Sequence, residues 1–510
     1  MNLADRNLLF RVDASRLMGS GHFYRCLTLA EACLARGAKI SFISRKLPEA
    51  YRKMLVERKI ELLDLCRIRS NHLIGDLAHS SWLEVNQIED AEECLYLIGE
   101  SQNDWLVVDH YALDYRWERL LRKVTKKIFV IDDLADRRHE CDILLDQNFY
   151  FDSSIRYVDK LNSDVKKLLG PEYALLRQEF SDQRSKLKRM TENVSRVLIS
   201  FGGVDKNNHT NLTIDALVDL EIDGIEVDVV VGAGNNNHES ISKKCVIYGF
   251  NYFYQHDLIS ELMVKADLCI GAGGISIWER CCLGLPSIAI PGEANQVQQV
   301  NDAGNSGLVY SYVQSLKDKN QFKECIRKLI LDKKLRKLIS DSGLASVSGD
   351  GAYKVIKQMI LVSIQVRPAS IDDAKNLYDW RNHPLIRSVS RNSHPIDFNS
   401  HMNWFRDALK SVEKLILVGE LFGNPIGVVR FDFNESQNEA EVSIYLNPEK
   451  FSNGFGGELL RKAELFLVKW NTSINKLNAH VIGQNQKSVN LFRSCNYKLL
   501  SSTYEKILKE

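Results

Sequence analysis

The chain has no apolar run approaching the ~18 residues a membrane helix needs. Its opening, MNLADRNLLFRVDAS, has no basic stretch leading into an apolar one, the pattern that directs secretion. Eleven cysteines are an odd number, with one adjacent pair (Cys281, Cys282) and no CxxC, so neither a disulfide framework nor a zinc site is indicated; they read as small buried apolar residues. Charge of one sign is lacking as well. With 67 Lys plus Arg against 66 Asp plus Glu, the net charge is +1, which argues against an electrostatic nucleic-acid binder. HExxH and HxxxH spacings, internal repeats and low-complexity tracts are all missing. Together these absences predict a cytoplasmic protein that binds no nucleic acid, inserts in no membrane and needs no metal.

What is present is the composition of a globular protein: 45% apolar and 26% charged over 510 residues, or about three domains at roughly 100–200 residues each. Strand-like runs LLFRV (8–12), KISFIS (39–44), WLVVD (105–109) and KIFVID (127–132) alternate with helical periodicity, as in a parallel sheet covered by helices. After the polar connector RQEFSDQRSKLKRMTENV the alternation restarts with VLISFGG (197–203), EVDVVVGAG (226–234), LCIGAGG (268–274) and SIAIPG (287–292). Near 347–364 the order changes. A strand, two helices, a hairpin with its turn at Gly423-Asn424-Pro425, a strand over 439–448, a long helix, a strand over 476–482, a short helix and a final strand follow. The expected domains are 1–185 and 186–350, both Rossmann-type α/β, and 363–510, a mixed α+β fold.

In LLFRVDASRLMGSGHFYRCLTLAEAC a strand leads through Gly19, Ser20, Gly21 and His22 into a helix starting near Phe23. A glycine-bearing turn at a helix N-terminus lets backbone N–H groups approach phosphate, and the helix dipole favours negative charge. His22 reads either as a polar residue at a helix start or as a functional group, and Asp13 either as a strand-end cap or as its partner. In the second half Gly271, Gly273 and Gly274 end a strand ahead of Ser276, another anion-accepting turn. Glu279, about a turn into that helix, can accept ribose hydroxyls, or else these glycines serve only close packing.

The run RVDAS…MGSGHFYRCLTLA resembles the opening of the UDP-sugar hydrolases of pseudaminic acid biosynthesis, relatives of the GT-B glycosyltransferases. VVDHYALDYRWE (107–118), VIDDLADRRHECDILLDQN (130–148), GPEYALLRQEF (170–180), SFGGVD (200–205) and ADLCIGAGGISIWERCCLGLPSIAIPGEANQ (266–296) continue the likeness in order. The resemblance implies a GT-B-like pair of Rossmann-type domains. It implies UDP contacts at Gly273, Gly274, Ser276, Glu279, Asn295 and Gln296, with Gly19, Gly21, Asp109, Gly202 and Gly203 facing the same substrate. His22 would be the base or water-positioning group, oriented by Asp13 or sharing its proton, with Tyr111 near the sugar. Asp109 and His110 stand either in the site or behind it.

In the last region a strand runs into EKFSNGFGGELLRKAE, where Gly454, Gly456 and Gly457 open a helix and can present N–H groups to a pyrophosphate. This, with NAHVIGQNQKSVNLFRSCNYK downstream, resembles the GNAT acetyltransferases; RPASIDDAKNLYDWRNHPLIR resembles those that acylate the 4-amino group of a UDP-linked amino sugar. The resemblance implies acetyl-CoA as cosubstrate, held by Leu446, Gly454, Gly456, Gly457, Asn485 and Ser488. Glu441 would take the amine proton, or is a solvent-facing strand carboxylate. Trp380, Arg381 and Asn382 either line the acceptor pocket or are a core Trp with surface neighbours. Two positions depart from the family pattern: Phe451 stands where Gln or Arg is usual, and Phe492 where a tyrosine often serves as acid, leaving Tyr497 or Tyr445 as alternative hydroxyls.

The function implied is bifunctional: N4-acetylation of a UDP-linked 4-amino sugar, then hydrolysis of UDP-2,4-diacetamido-2,4,6-trideoxy-beta-L-altropyranose to UDP and free sugar. The alternative is a GT-B glycosyltransferase carrying a non-catalytic acetyl-CoA-binding module.

Overall fold

Strand β1 (Asn7–Val12) is buried at every residue after the first, the pattern of a parallel strand covered on both faces. It sits inside a seven-stranded sheet with β2 (Lys39–Ser44), β3 (Glu61–Asp64), β4 (Asn103–Asp109), β5 (Thr125–Ile131), β6 (Ile143–Asp146) and β7 (Lys166–Leu169), in the order β3-β2-β1-β4-β5-β6-β7. All its pairings are parallel. The computed structural model describes residues 2–15, 17–66, 75–187, 193–256, 258–434, 438–451, 453–482 and 485–500.

A second parallel sheet holds β8 (Arg196–Ser200), β9 (Glu226–Val231), β10 (Asn251–Tyr254), β11 (Leu268–Ala272), β12 (Ser287–Ile290) and β13 (Tyr310–Ser311), in the order β10-β9-β8-β11-β12-β13. In both sheets the strand order reverses beside the first strand, which opens a crevice at the carboxyl ends of the central strands. The short strands β3, β6, β7, β10 and β13, two to four residues long, lie outside the apolar runs named from the sequence.

Residues 2–356 form one compact unit, which holds both parallel sheets, and 357–510 another. The polar connector explains this. It forms the helix Gln178–Lys186, whose Phe180 is wholly buried in the core of the second sheet, while Arg184 donates to the carbonyls of Cys282 (2.7 Å) and Leu344 (2.6 Å). The expected break near 350–363 is a helix, Gly351–Val362, that spans the division between units.

The last sheet joins β14 (Ile364–Pro368), β15 (Lys414–Leu421), β16 (Asn424–Phe433), β17 (Glu439–Leu446) and β18 (Lys476–Asn478) in chain order, antiparallel except for β17 with β18. The hairpin turn is Phe422-Gly423 rather than Gly423-Asn424-Pro425. Both residues have positive φ (52° and 79°), the two-residue turn that matches strand twist, and Pro425 is paired with Glu420 inside β16. β18 is three residues long instead of the seven expected. No strand follows the helix Gln486–Ser494 through residue 500, and 501–510 lie outside the described residues. Among the described residues no helix is long and apolar enough to cross a membrane.

Candidate functional site

Carboxylates cluster at the carboxyl edge of the first sheet: Asp109 ends β4, Asp132 and Asp133 follow β5, and Asp146 ends β6. Gly19, with φ 77°, turns the chain back, its N–H meeting the Ser15 carbonyl at 2.9 Å, and the helix Gly21–Leu34 begins over that edge. His22 lies in the first helical turn and Arg25 one turn on, the spacing that puts two side chains on one helix face. His22 Nδ1 stands 2.6 Å from Asp109 Oδ1. Arg25 forks onto the same carboxylate, Nε to Oδ2 at 2.5 Å and Nη2 to Oδ1 at 2.7 Å, and reaches Asp133 Oδ2 with Nη1 at 3.0 Å. The Tyr111 hydroxyl donates to Asp133. Its ring meets that of His22 edge-on at 4.5 Å, and Trp82 stacks on Tyr111 at 5.5 Å.

Burial alone would raise the Asp109 carboxyl; the charges of Arg25 and His22 and their hydrogen bonds outweigh it and hold Asp109 well below the usual carboxylate range. Nδ1 has two neighbours, Asp109 Oδ1 at 2.6 Å, which can only accept, and Arg25 Nη2 at 3.2 Å, which can only donate; the nearer carboxylate favours the proton on Nδ1 and the lone pair on Nε2. No described residue hydrogen-bonds Nε2.

Asp13 is not the partner of His22. It is wholly buried and accepts from Ser44 Oγ (2.8 Å) and the backbone N–H groups of Arg45 (2.7 Å) and Lys46 (3.1 Å), with Arg11 Nη1 at 2.8 Å and His110 Nε2 at 3.1 Å. Asp13 is thus tied to β2, the loop after it, Arg11 and His110, and not to His22, although Asp13 Oδ2, Arg11 Nη1 and His110 Nε2 stand at ion-pair distance without a hydrogen bond among the described residues. Sequence reading missed Arg25, Asp133 and Trp82. The i, i+3 spacing of His22 and Arg25 was a signal for the first, and the double Asp closing VIDD for the second.

The glycines separate into two kinds. A Cβ at Gly271 would stand 2.3 Å from the Ser200 carbonyl oxygen, and one at Gly273 2.4 Å from Val300 Cγ2, so both are required by packing. Gly21 has no atom within 4 Å of that position and no positive φ; Gly202 (φ 78°) is also open, Gly203 faces only Ser20 Oγ at 3.8 Å, and Gly274 only Gln296 Nε2 at 3.5 Å. Gly21, Gly203 and Gly274 are therefore glycines that neither packing nor a positive φ demands. Gly203 also needs Gly232, whose Cβ would stand 2.5 Å from Gly203 Cα.

Glu279 is half-buried 3.9 Å from Arg177, and partial burial raises its carboxyl above the usual value. The Ser276 hydroxyl is committed within its own turn, donating to Ala272 O (3.3 Å) and accepting from Arg280 Nη1 (3.2 Å). Gln296 Oε1 accepts from Gly292 N–H at 2.9 Å, shaping the turn, and Asn295 is exposed. Gln299, one helical turn beyond Gln296 and unnoticed in the sequence, is buried, and its Nε2 has no partner among the described residues.

In the unit 357–510, β17 pairs with β18 only over Glu439–Glu441 and Lys476–Asn478. The rest of β17 has no strand on that side among the described residues. Gly454, with φ 79°, precedes the helix Phe455–Trp470, and Leu446 Cδ1 lies 3.8 Å from where a Gly456 Cβ would stand; Gly457 is nearest the Arg461 side chain. Asn485 and Ser488 bond each other: Asn485 Oδ1 accepts from Ser488 N at 3.1 Å and its Nδ2 donates to Ser488 Oγ at 2.9 Å, a helix cap. Phe492 is core, and the Tyr497 hydroxyl donates to Glu464 at 2.8 Å. Trp380 is core as well, and Asn382 braces the following loop through Ile396.

Strand alternation puts Glu441, Ser443 and Tyr445 on one face of β17, and the register adds Arg430 opposite Ser443. Glu441 meets Arg391 at 2.7 Å. Arg381 and Arg387 reach only the carbonyls of Asn392 (3.0 Å) and Ser393 (3.3 Å); Arg381 Nη1 and Arg387 Nε are buried with no partner among the described residues. Burial and the like charges of Arg430 and Arg387 depress Arg381 despite Tyr445, whose own hydroxyl burial pushes up to about 12.

Comparison with known proteins agrees with these shapes. The Glycosyltransferase family 28 C-terminal domain profile matches residues 197–350, and the Acetyltransferase (GNAT) family profile residues 374–497. An uncharacterized protein of Methanocaldococcus jannaschii is 23% identical over 513 residues, 95% of each chain. The UDP-2,4-diacetamido-2,4,6-trideoxy-beta-L-altropyranose hydrolase of Campylobacter jejuni is 26% identical over 265 residues, 52% of this chain and 83% of that one. A UDP-N-acetylglucosamine–N-acetylmuramyl-(pentapeptide) pyrophosphoryl-undecaprenol N-acetylglucosamine transferase of Helicobacter acinonychis is 31% identical over 155 residues, 27% of this chain and 42% of that one. The chain is an α/β protein with a GT-B-like pair of Rossmann-type sheets followed by a GNAT acetyltransferase domain.

Proposed function

We propose that residues 1 to about 350 hydrolyse a UDP-linked 2,4-diacetamido-2,4,6-trideoxy sugar to UDP and free sugar, and that the domain at 363–510 acetylates the 4-amino group of its precursor. The observation that carries the first half is His22, fixed at Nδ1 by Asp109, with no hydrogen-bond partner at Nε2 among the described residues, directly after the open Gly21.

Water adds to the anomeric carbon while its proton passes to His22 Nε2, and the bond from that carbon to the diphosphate oxygen breaks. The developing charge on UDP is met by backbone N–H groups of the glycine turns, and Glu279 and Gln299 are suited to the uridine ribose and diphosphate side. The diphosphate leaves readily, so a base and no dedicated acid is needed. The likeness to the Campylobacter jejuni hydrolase supports this reading.

For the second half, the divergence of β17 from β18 and the left-handed Gly454 fit acetyl-CoA, which would supply the activated acetyl group. Leu446, Gly454, Gly456 and Gly457 would hold it, with Asn485 and Ser488 shaping the neighbouring helix start. For the acceptor, Arg381, Arg387 and Arg430 suit a diphosphate, since guanidinium groups without carboxylate partners recognise phosphate in paired hydrogen bonds. Arg430 is the exception, being shared with Asp432 at 2.8 Å. Glu441 takes the amine proton, directly or through water.

The test is UDP release from UDP-2,4-diacetamido-2,4,6-trideoxy-beta-L-altropyranose without any acceptor. Release by the wild type that His22→Ala abolishes supports the hydrolase; a wild type that acts only when an acceptor is added is a glycosyltransferase. CoA release with the UDP-4-amino sugar tests the second half against a domain that only binds acetyl-CoA.

A further inference from the structure

Two residues of the first unit take no part in that chemistry and are nonetheless built into the site. Trp278 lies between Ser276 and Glu279 on the helix Ser276–Cys282 of the second sheet and is wholly buried. A buried indole N–H needs an acceptor, and Asn148, just beyond β6 of the first sheet, provides Oδ1 at 3.1 Å. The same amide donates through Nδ2 to Asp133 Oδ2 at 3.3 Å. Its orientation is fixed by chemistry, because indole can only donate and an ionised carboxylate can only accept.

From Asp133 the connection continues without a gap. Asp133 accepts from Tyr111 and, at 3.0 Å, from Arg25 Nη1; Arg25 forks onto Asp109 at 2.5 and 2.7 Å; Asp109 holds His22 Nδ1 at 2.6 Å. Trp278, Arg25, Asp109 and Asn148 are buried and Asp133 is half-buried, so the links lie largely away from bulk water. A guanidinium is a rigid planar fork. The arm on Asp133 therefore sets the angle at which the other two meet Asp109.

We infer that Asn148 and Asp133 are positioning residues that couple the seating of a nucleoside diphosphate against the helix Ser276–Cys282 to the alignment of His22. The inference rests on the reading of the second sheet as the nucleotide side and of His22 as the base.

Asn148→Asp tests it, since it keeps an acceptor for Trp278 and replaces the donor to Asp133 with a carboxylate oxygen. Trp278→Phe is the second variant, removing the N–H while leaving both first-sheet residues in place. The probe is UDP, read by calorimetry and by the Nδ1 proton and ring signals of His22 in full-length protein labelled at histidine and assigned with His22→Ala. In the wild type, UDP is expected to move the His22 signals. In Asn148→Asp and Trp278→Phe it should no longer do so, with the UDP Kd within about threefold of wild type and kcat for UDP release lowered at least about tenfold. If the His22 signals of Asn148→Asp answer UDP as the wild type does, the coupling is overturned. It is equally overturned if UDP binds the wild type and leaves His22 unmoved. If the coupling is present but no UDP-sugar is hydrolysed, the coupling stands and the hydrolase reading falls. A wild type that binds no UDP overturns both.

Discussion

His22 and Asp109 lie 87 residues apart in the chain and 2.6 Å apart in space, and the bond between them selects which imidazole nitrogen faces the cleft. Asp109→Asn removes the charge that fixes the tautomer while keeping the side chain's shape. Steady-state UDP release should show kcat lowered by about 10²–10⁴, the range for loss of general-base catalysis, with KM nearly unchanged. Equal losses in Asp13→Asn would contradict the separate placement of these two carboxylates.

The two kinds of glycine make opposite predictions. Gly273→Ala puts a methyl 2.4 Å from the buried Val300, so thermal unfolding should show a loss of about 1–3 kcal/mol. Gly21→Ala meets nothing and needs no unusual φ, so its Tm should match the wild type while KM for the UDP-sugar rises several-fold. A Gly21→Ala enzyme with unchanged kinetics would mean that no substrate approaches that turn.

Asp146 supplies a pH signature of stability. Burial, then the charge of Asp133, push its carboxyl up to about 8, while in the unfolded chain it titrates as an ordinary aspartate near ~4. Between those values the folded protein binds the extra proton, so stability falls as pH rises, by at most about 1.4 kcal/mol per pH unit from this group, and levels off above about 8. Denaturant unfolding at pH 5, 6.5 and 8 should show Asp146→Asn gaining on the wild type as pH increases. A constant difference between the two would place Asp146 in its ordinary range.

In the acetyltransferase domain, Arg381→Gln and Arg387→Gln should each raise KM for a UDP-linked amino sugar about 10- to 100-fold, the worth of one charged hydrogen bond. KM for acetyl-CoA should hold steady, because the cosubstrate is assigned to the turn at Gly454 and the arginines to the amino-sugar nucleotide. Initial rates with each substrate varied in turn check this. Tyr497→Phe should leave CoA release near wild type, since that hydroxyl is already given to Glu464.

Local pattern was enough for the sheets and turns. Strands such as Lys39–Ser44 and Glu226–Val231 are short stretches rich in β-branched and aromatic residues, and Gly19 and Gly454 mark left-handed turns ahead of helices, so composition and glycine position made the two parallel sheets and the mixed last domain readable. Partnership was not readable. Asp13 and Asp109 both close a strand beside His22, and only the packing of β1 against β4 and the loop after β2 turned one toward Ser44 and the other toward the helix. The same holds for Gly273 against Gly21, and for Asn148 meeting Trp278 across 130 residues. Secondary structure follows from neighbours a few residues away, whereas the partner of a buried charge is whichever group the folded chain brings within hydrogen-bond reach, and that is decided by tertiary packing.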